Sequence, residues 1–254
     1  MSDAVLTEED GGVLVITINR PEAKNAVNAD VAVGIAAALD ELDSRKDLAV
    51  GIITGAGGTF CSGMDLKGFL RGENPFVEGR GFAGIHERPP TTPLIAAIEG
   101  YALAGGCEIA LCADMIVAAS DAKFGLPEPK RGLVAAAGGL MRLPQRIPFH
   151  IAMEIALTGD FYTAEQLAGF GLVNRVADPG KALETAKELA AKIAENAPLA
   201  LAATKRIIVE SPQWTESEKW KKQGDITLPI FTSKDAQEGP AAFAQKRKPN
   251  WSGE

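Results

Sequence analysis

Histidine, cysteine and net positive charge are scarce in this 254-residue chain. Its two histidines are His86 and His150, and its three cysteines are Cys61, Cys107 and Cys112. A Ser-His-Asp hydrolase needs a histidine beside its nucleophile. The nearest elbow-like run, Phe60-Cys61-Ser62-Gly63, lacks the first glycine of GxSxG. HExxH is absent and neither histidine has a second ligand at metal spacing, so no metal is expected and both histidines read as surface or packing residues. The cysteines form no CxxC pair and are odd in number, which argues against a disulfide framework or a structural zinc. Lys plus Arg total 26 against 33 Asp plus Glu, a formal charge of −7. A general nucleic-acid binder needs the opposite balance. No uncharged apolar run reaches the roughly 18 residues of a membrane span. The first basic residue is Arg20, unlike a secretory or Arg-rich transit segment. The expectation is a cytoplasmic protein with neither nucleic acid nor membrane as partner.

What remains is ordinary globular material, 46% apolar, long enough for one large domain or two smaller ones. Val13 to Asn19 is β-branched and alternating, the pattern of a strand. Asn28 to Leu42 has apolar residues at helical spacing behind an Asn N-cap. Leu48 to Thr54, Leu94 to Ile98 and Asp114 to Ala118 read as further strands, with a small-residue loop at Ala102 to Gly106 and a short helix to about Cys112. This alternation predicts an α/β core with parallel strands. Helices are predicted over 146–157, 163–168, 179–196, 198–209, 214–230 and 235–243, with Asp178 and Pro179 as N-cap and N1. The division expected is a core over 1–199 and a helical region over 200–254. Arg71 to Pro93, with its glycines, prolines and mixed charge, reads as a mobile loop or pocket wall.

Three segments could carry chemistry. Thr59 to Lys67 leads into a helix start, which offers free backbone N–H groups to an anionic oxygen, and follows a glycine-rich turn, Gly55-Ala56-Gly57-Gly58. It matches neither GxGxxG nor GxxxxGK[ST], and alone it reads as a simple strand-to-helix turn. In Gly100 to Glu108 two adjacent glycines open a helix and permit close backbone approach by a ligand. Glu108 sits in the first turn among apolar residues, either as dipole complement or as a functional carboxylate. Glu128 lies between Pro127 and Pro129 on a rigid turn, a place for a positioned acid or base or for an exposed turn residue.

Taken together, in this order and spacing, the segments resemble the enoyl-CoA hydratase/isomerase, or crotonase, family. The anchors are Asn19-Arg20-Pro21 with Asn25-Ala26, Ile53-Thr54-Gly55, Phe60-Cys61-Ser62-Gly63-Met64-Asp65-Leu66, Gly100-Tyr101-Ala102, Gly105-Gly106-Cys107-Glu108 and Phe124-Gly125 with Pro127-Glu128. Further on are Leu157-Thr158-Gly159, Gly171-Leu172-Val173 and Ala242-Phe243-Ala244-Gln245-Lys246-Arg247. The resemblance implies an α/β spiral of ββα units with a helical C-terminal trimerisation region, and a homotrimer or dimer of trimers. It implies an acyl-CoA thioester as substrate, no separate cofactor because coenzyme A is part of that substrate, and a place in fatty-acid β-oxidation.

The family's oxyanion hole falls on the backbone N–H groups of Met64 and Gly105, and its two glutamates on Glu108 and Glu128. The reaction implied is reversible syn hydration of a 2-enoyl-CoA, with Glu108 as base toward water and Glu128 exchanging the α-carbon proton. CoA and substrate contacts implied are Ala23, Lys24, Ser62, Asp65, Leu66 and Lys67, with Phe243 and Lys246 reaching toward a neighbouring subunit. Pro129 and the stretch Val134 to Leu143 depart from the usual hydratase pattern and look closer to carnitinyl-CoA dehydratase-like members. That activity, an enoyl-CoA isomerase and a non-catalytic acyl-CoA binder are the alternatives.

Overall fold

The computed structural model describes residues 3–254. In chain order the strands are β1 (Val5–Asp10), β2 (Val13–Ile18), β3 (Val50–Gly55), β4 (Phe76–Val77), β5 (Gly81–Phe82), β6 (Leu94–Ile98), β7 (Tyr101–Leu103), β8 (Met115–Ala119), β9 (Lys123–Gly125), β10 (Tyr162–Thr163) and β11 (Arg175–Ala177). The helices are α1 (Ala29–Ser44), α2 (Leu66–Leu70), α3 (Gly105–Ala110), α4 (Gly139–Arg146), α5 (Phe149–Thr158), α6 (Ala164–Gly169), α7 (Ala182–Ala194), α8 (Pro198–Glu210), α9 (Lys219–Phe231) and α10 (Lys234–Ala244). No helix among the described residues is long and apolar enough to cross a membrane.

The main sheet runs β1-β2-β3-β6-β8-β11. All its pairs are parallel except β1 with β2. The period-2 pattern explains its two buried faces. Leu14, Ile16 and Ile18 of β2 join the large core with Val31, Ile35 and Leu39 of α1. Val13 and Val15 point the other way, against Ala186 and Ala190 of α7, whose small side chains let that helix lie close to the sheet. Asn28 accepts the Val31 N–H at 3.0 Å and starts α1 as expected. A smaller sheet runs β10-β9-β7, with β7 parallel and β10 antiparallel to β9.

The sequence-based expectations for the core strands hold to within a residue or two. Five details change. The predicted loop at Ala102 to Gly106 is a strand up to Leu103, because Tyr101 to Leu103 pair with Lys123 to Gly125. β1, polar and exposed, carries no alternating signal and adds an antiparallel edge. Helix α7 starts at Ala182, not Pro179: Gly180 has φ +81°, and Glu99 accepts the Gly180 and Ala182 N–H groups at 3.0 and 2.8 Å in place of an Asp178 cap. The helix predicted over 146–157 begins at Phe149, after Pro148 separates it from α4. The one predicted over 214–230 begins at Lys219, after a 3-10 turn over Ser211–Gln213. Residue 200 lies inside α8.

Arg71 to Pro93 is an ordered wall built on the β4-β5 hairpin. Arg80 pins it by hydrogen bonds to Asp40 of α1 and, at 3.0 Å, to the Arg88 carbonyl.

Candidate active site

The three segments singled out in the sequence converge on one cavity of about 300 Å³. Ser62, Met64 and Leu66 come from the loop after β3, Ala104, Gly105 and Glu108 from the start of α3, and Pro127 and Glu128 from the turn after β9. Phe76, Phe82, Leu133, Val134 and Ala137 supply most of the remaining apolar wall.

Two backbone amides face this space without protein acceptors. Met64 lies in an isolated bridge with Val27, whose N–H donates to the Gly63 carbonyl at 2.8 Å and whose carbonyl accepts the Asp65 N–H at 2.9 Å. In an extended segment the groups alternate sides, so the Met64 N–H points away from Val27. Gly105 is the first residue of α3, where N–H groups have no partner within the helix. Among the described residues neither amide donates to a protein acceptor. Their segments touch: a Cβ on Gly63 would lie 3.2 Å from the Gly105 nitrogen, and Gly63 has φ +100°. Ala104, just before Gly105, holds φ 53° and ψ −128°, a conformation that costs about 1–3 kcal/mol and recurs at functional sites.

Glu108 is 3% exposed and Glu128 9%. Glu108 Oε1 accepts N–H groups from Ala137 at 2.7 Å and Gly139 at 2.9 Å. Burial, opposed by the Gly139 N–H, and the nearby Glu128 charge push its carboxyl up to about 7. Glu128 sits at the start of a 3-10 turn, Glu128–Arg131, fixed by its flanking prolines. Its Oε2 is buried without a hydrogen-bond partner among the described residues. Burial pushes this carboxyl above its ordinary value as well, with Arg131 opposing. Two carboxyls that resist ionisation on one apolar cavity are suited to hold and pass protons near neutral pH.

The remaining sequence candidates fall into two groups. Ala23 and Lys24 do not line the cavity; Lys24 adjoins it through Ser62, whose N–H donates to the Lys24 carbonyl at 3.1 Å, and Lys24 Nζ stands 5.7 Å from the Tyr101 ring centre. Leu66 lines the cavity and Lys67 is exposed beside it. Asp65 is engaged locally. Its Oδ1 accepts the Lys67 and Gly68 N–H groups, capping α2, and its Oδ2 pairs with Arg20 at 3.0 Å. Phe243, 87% exposed, and Lys246 lie on and just after α10 and do not line the cavity of their own chain. Neither histidine lines it: His86 Nδ1 accepts the Phe82 N–H at 2.6 Å, burial lowers its pKa, and His150 is exposed.

Sequence reasoning missed the amides of Ala137 and Gly139, and the rings of Phe76 and Phe82. It named their segments, 134–143 and 71–93, without their roles. The need for glycine at 139 is itself tertiary, since a Cβ there would meet Glu108 Cγ at 2.9 Å.

A family profile described as Enoyl-CoA hydratase/isomerase matches residues 8–254. Enoyl-CoA hydratase EchA19 of Mycobacterium tuberculosis is 42% identical, over 97% of this chain and 95% of its own length. A carnitinyl-CoA dehydratase of Salmonella arizonae is 41% identical over the whole of both chains. The solved structure of an enoyl-CoA hydratase from M. tuberculosis superposes with a TM-score of 0.98, at 60% identity and full coverage of both chains.

Proposed function

We propose that this chain, which belongs to the enoyl-CoA hydratase/isomerase family and has the crotonase fold, adds water reversibly across the double bond of a 2-enoyl-CoA. The observation that carries the reading is the pairing of two buried carboxyls, Glu108 and Glu128, with two unengaged amides, those of Met64 and Gly105, on one apolar cavity.

The thioester oxygen takes the two N–H groups. As the nucleophile adds at Cβ, the π pair moves toward that oxygen, and donors already in place stabilise the growing charge; losing one such donor costs about 3 kcal/mol. Glu108 accepts a proton from the water whose oxygen bonds to Cβ. Its Oε1 is steadied in the charged form by the Ala137 and Gly139 amides, which leaves Oε2 for the water. Glu128 delivers a proton to Cα. Burial, with Oε2 unpartnered, raises the proton affinity of Glu128 above that of an ordinary carboxyl and suits it to carry the proton it delivers. One O–H bond breaks, C–O and C–H bonds form, and the proton passes from Glu108 back to Glu128 to close the cycle. Dehydration is the same path reversed.

Loss of the conjugated thioester absorbance on mixing with crotonyl-CoA and a longer 2-enoyl-CoA tests this reading. Rapid loss with solvent oxygen incorporated supports it; CoA-ester binding without turnover on either leaves a binder.

Carnitinyl-CoA dehydratase activity is the second reading, favoured by the likeness to the Salmonella enzyme. Arg131 argues against it, as it adds a cation to the cavity wall and makes no ion pair among the described residues. A quaternary ammonium acyl group would meet a like charge there, though one exposed to solvent and so only a weak bias. Exposed Ile208, Trp220, Leu228 and Phe231 on α8 and α9 support assembly as a trimer or dimer of trimers. In such an assembly Phe243 and Lys246 are available to a neighbour's CoA.

A further inference from the structure

The guanidinium of Arg142, in α4, lies between two walls of the cavity without lining it. Its Nη2 donates to the His86 carbonyl at 2.6 Å, and its Nη1 lies 3.4 Å from the Ala137 carbonyl, a long contact. No carboxylate pairs with it among the described residues. Each carbonyl leads to a different half of the site. His86 accepts the Phe82 N–H through Nδ1, and the Phe82 ring occupies the place of a Gly105 side chain, since a Cβ there would stand 2.6 Å from it. Ala137 donates its own N–H to Glu108. The space is made by Gly138, with φ +90°, where a Cβ would fall 2.1 Å from Arg142 Nη1.

We propose that Arg142 is a positioning residue that keys the Phe82 wall, and through it the Gly105 donor, to the amide pair that holds Glu108. This rests on the hydratase reading above. A guanidinium suits this role because its planar fork spans two carbonyls while keeping its charge, which an ammonium on a flexible stem does not do. The charge also favours the ionised form of Glu108. The other groups facing Glu108 are Glu128, with Arg131 beyond it, and the Cys107 and Cys112 thiols of its own segment. Burial pushes those thiols up to about 12 and about 11, so they stay neutral. Arg146 stands beyond Cys112.

The test compares wild type, Arg142→Gln and Arg142→Lys as full chains, by carboxyl NMR titration of Glu108, by kcat on crotonyl-CoA, and by the Kd of butyryl-CoA, which cannot be hydrated. In Arg142→Gln the Glu108 midpoint moves up by about half a pH unit or more. There kcat falls about tenfold or more, and Kd changes less than about threefold. Arg142→Lys restores the midpoint but not kcat. A wild-type midpoint and kcat in Arg142→Gln overturn the proposal, as does equal loss of kcat and butyryl-CoA affinity. If Arg142→Gln does not fold, Arg142→Lys decides: wild-type kcat overturns the proposal, and a wild-type midpoint with reduced kcat upholds it. A wild type that turns over no enoyl-CoA defeats the hydratase reading alone, while the titration still tests the hold of Arg142 on Glu108.

Discussion

Gly63 and Ala104 approach so closely that a Cβ on Gly63 would lie 2.9 Å from the Cβ of Ala104. This contact brings the Met64 and Gly105 segments side by side. Gly63→Ala therefore separates the two donors, and also forces a side chain onto a backbone at φ +100°. The expected result is a kcat on crotonyl-CoA reduced roughly 10²- to 10³-fold, the cost of one lost donor. Steady-state kinetics beside butyryl-CoA calorimetry separates this from lost binding. Undiminished kcat in the folded variant contradicts the oxyanion assignment.

Glu128→Gln removes the proton donor to Cα but keeps the volume of the side chain. Hydration falls by roughly 10²- to 10⁴-fold while butyryl-CoA still binds. Retained turnover rejects the role of Glu128.

Glu108→Gln makes the protein more stable at pH 8 and leaves it nearly unchanged at pH 4. The native carboxyl titrates near 7 instead of the ordinary 4.5. Between these values the folded chain keeps a proton that the unfolded chain has released, so wild-type stability falls as pH rises through the window. At about 1.4 kcal/mol for each pH unit, the deficit reaches the order of 3 kcal/mol above pH 7. Gln keeps an oxygen for the Ala137 and Gly139 amides and carries no charge. Urea denaturation at the two pH values measures the difference, and an equal effect at both would reject burial as its cause.

The pH profile of kcat/KM is bell-shaped, because hydration needs one carboxyl ionised and the other protonated. Burial raises both carboxyls, so the acid limb lies above the 4.5 of an ordinary glutamate. The two limbs belong to the coupled pair, not to one residue each. A flat profile from about pH 5 to 9 contradicts two-carboxyl chemistry.

Phe76 meets Phe82 edge to face, with ring centres 5.6 Å apart, and closes one side of the cavity while half exposed. Phe76→Ala opens that side at little cost to the fold. Longer 2-enoyl-CoA substrates should gain on crotonyl-CoA by roughly tenfold in kcat/KM. An unchanged ratio places the acyl chain elsewhere.

Local pattern was enough for the elements whose cause is local. The alternation of Val13 to Ile18, the Asn28 cap and the apolar face of α1 are written in neighbouring residues. So are both glutamates: one beside a glycine pair at a helix start, one locked between prolines. Their proton affinity was not legible, because it depends on what surrounds them. Ala137 and Gly139, whose amides hold Glu108, stand 29 and 31 residues away in sequence. The free Met64 N–H exists because Val27 engages the residues on either side of it. Glu99, 83 residues before Ala182, displaced the expected Asp178 cap of α7. Residue identity and local pattern set which groups could do acid–base chemistry and which strands would be buried on both faces. That the carboxyls share one apolar cavity with two unengaged amides is a matter of the folded arrangement alone. Burial, hydrogen-bond satisfaction and field are properties of neighbours in space, and close packing, not chain order, selects those neighbours.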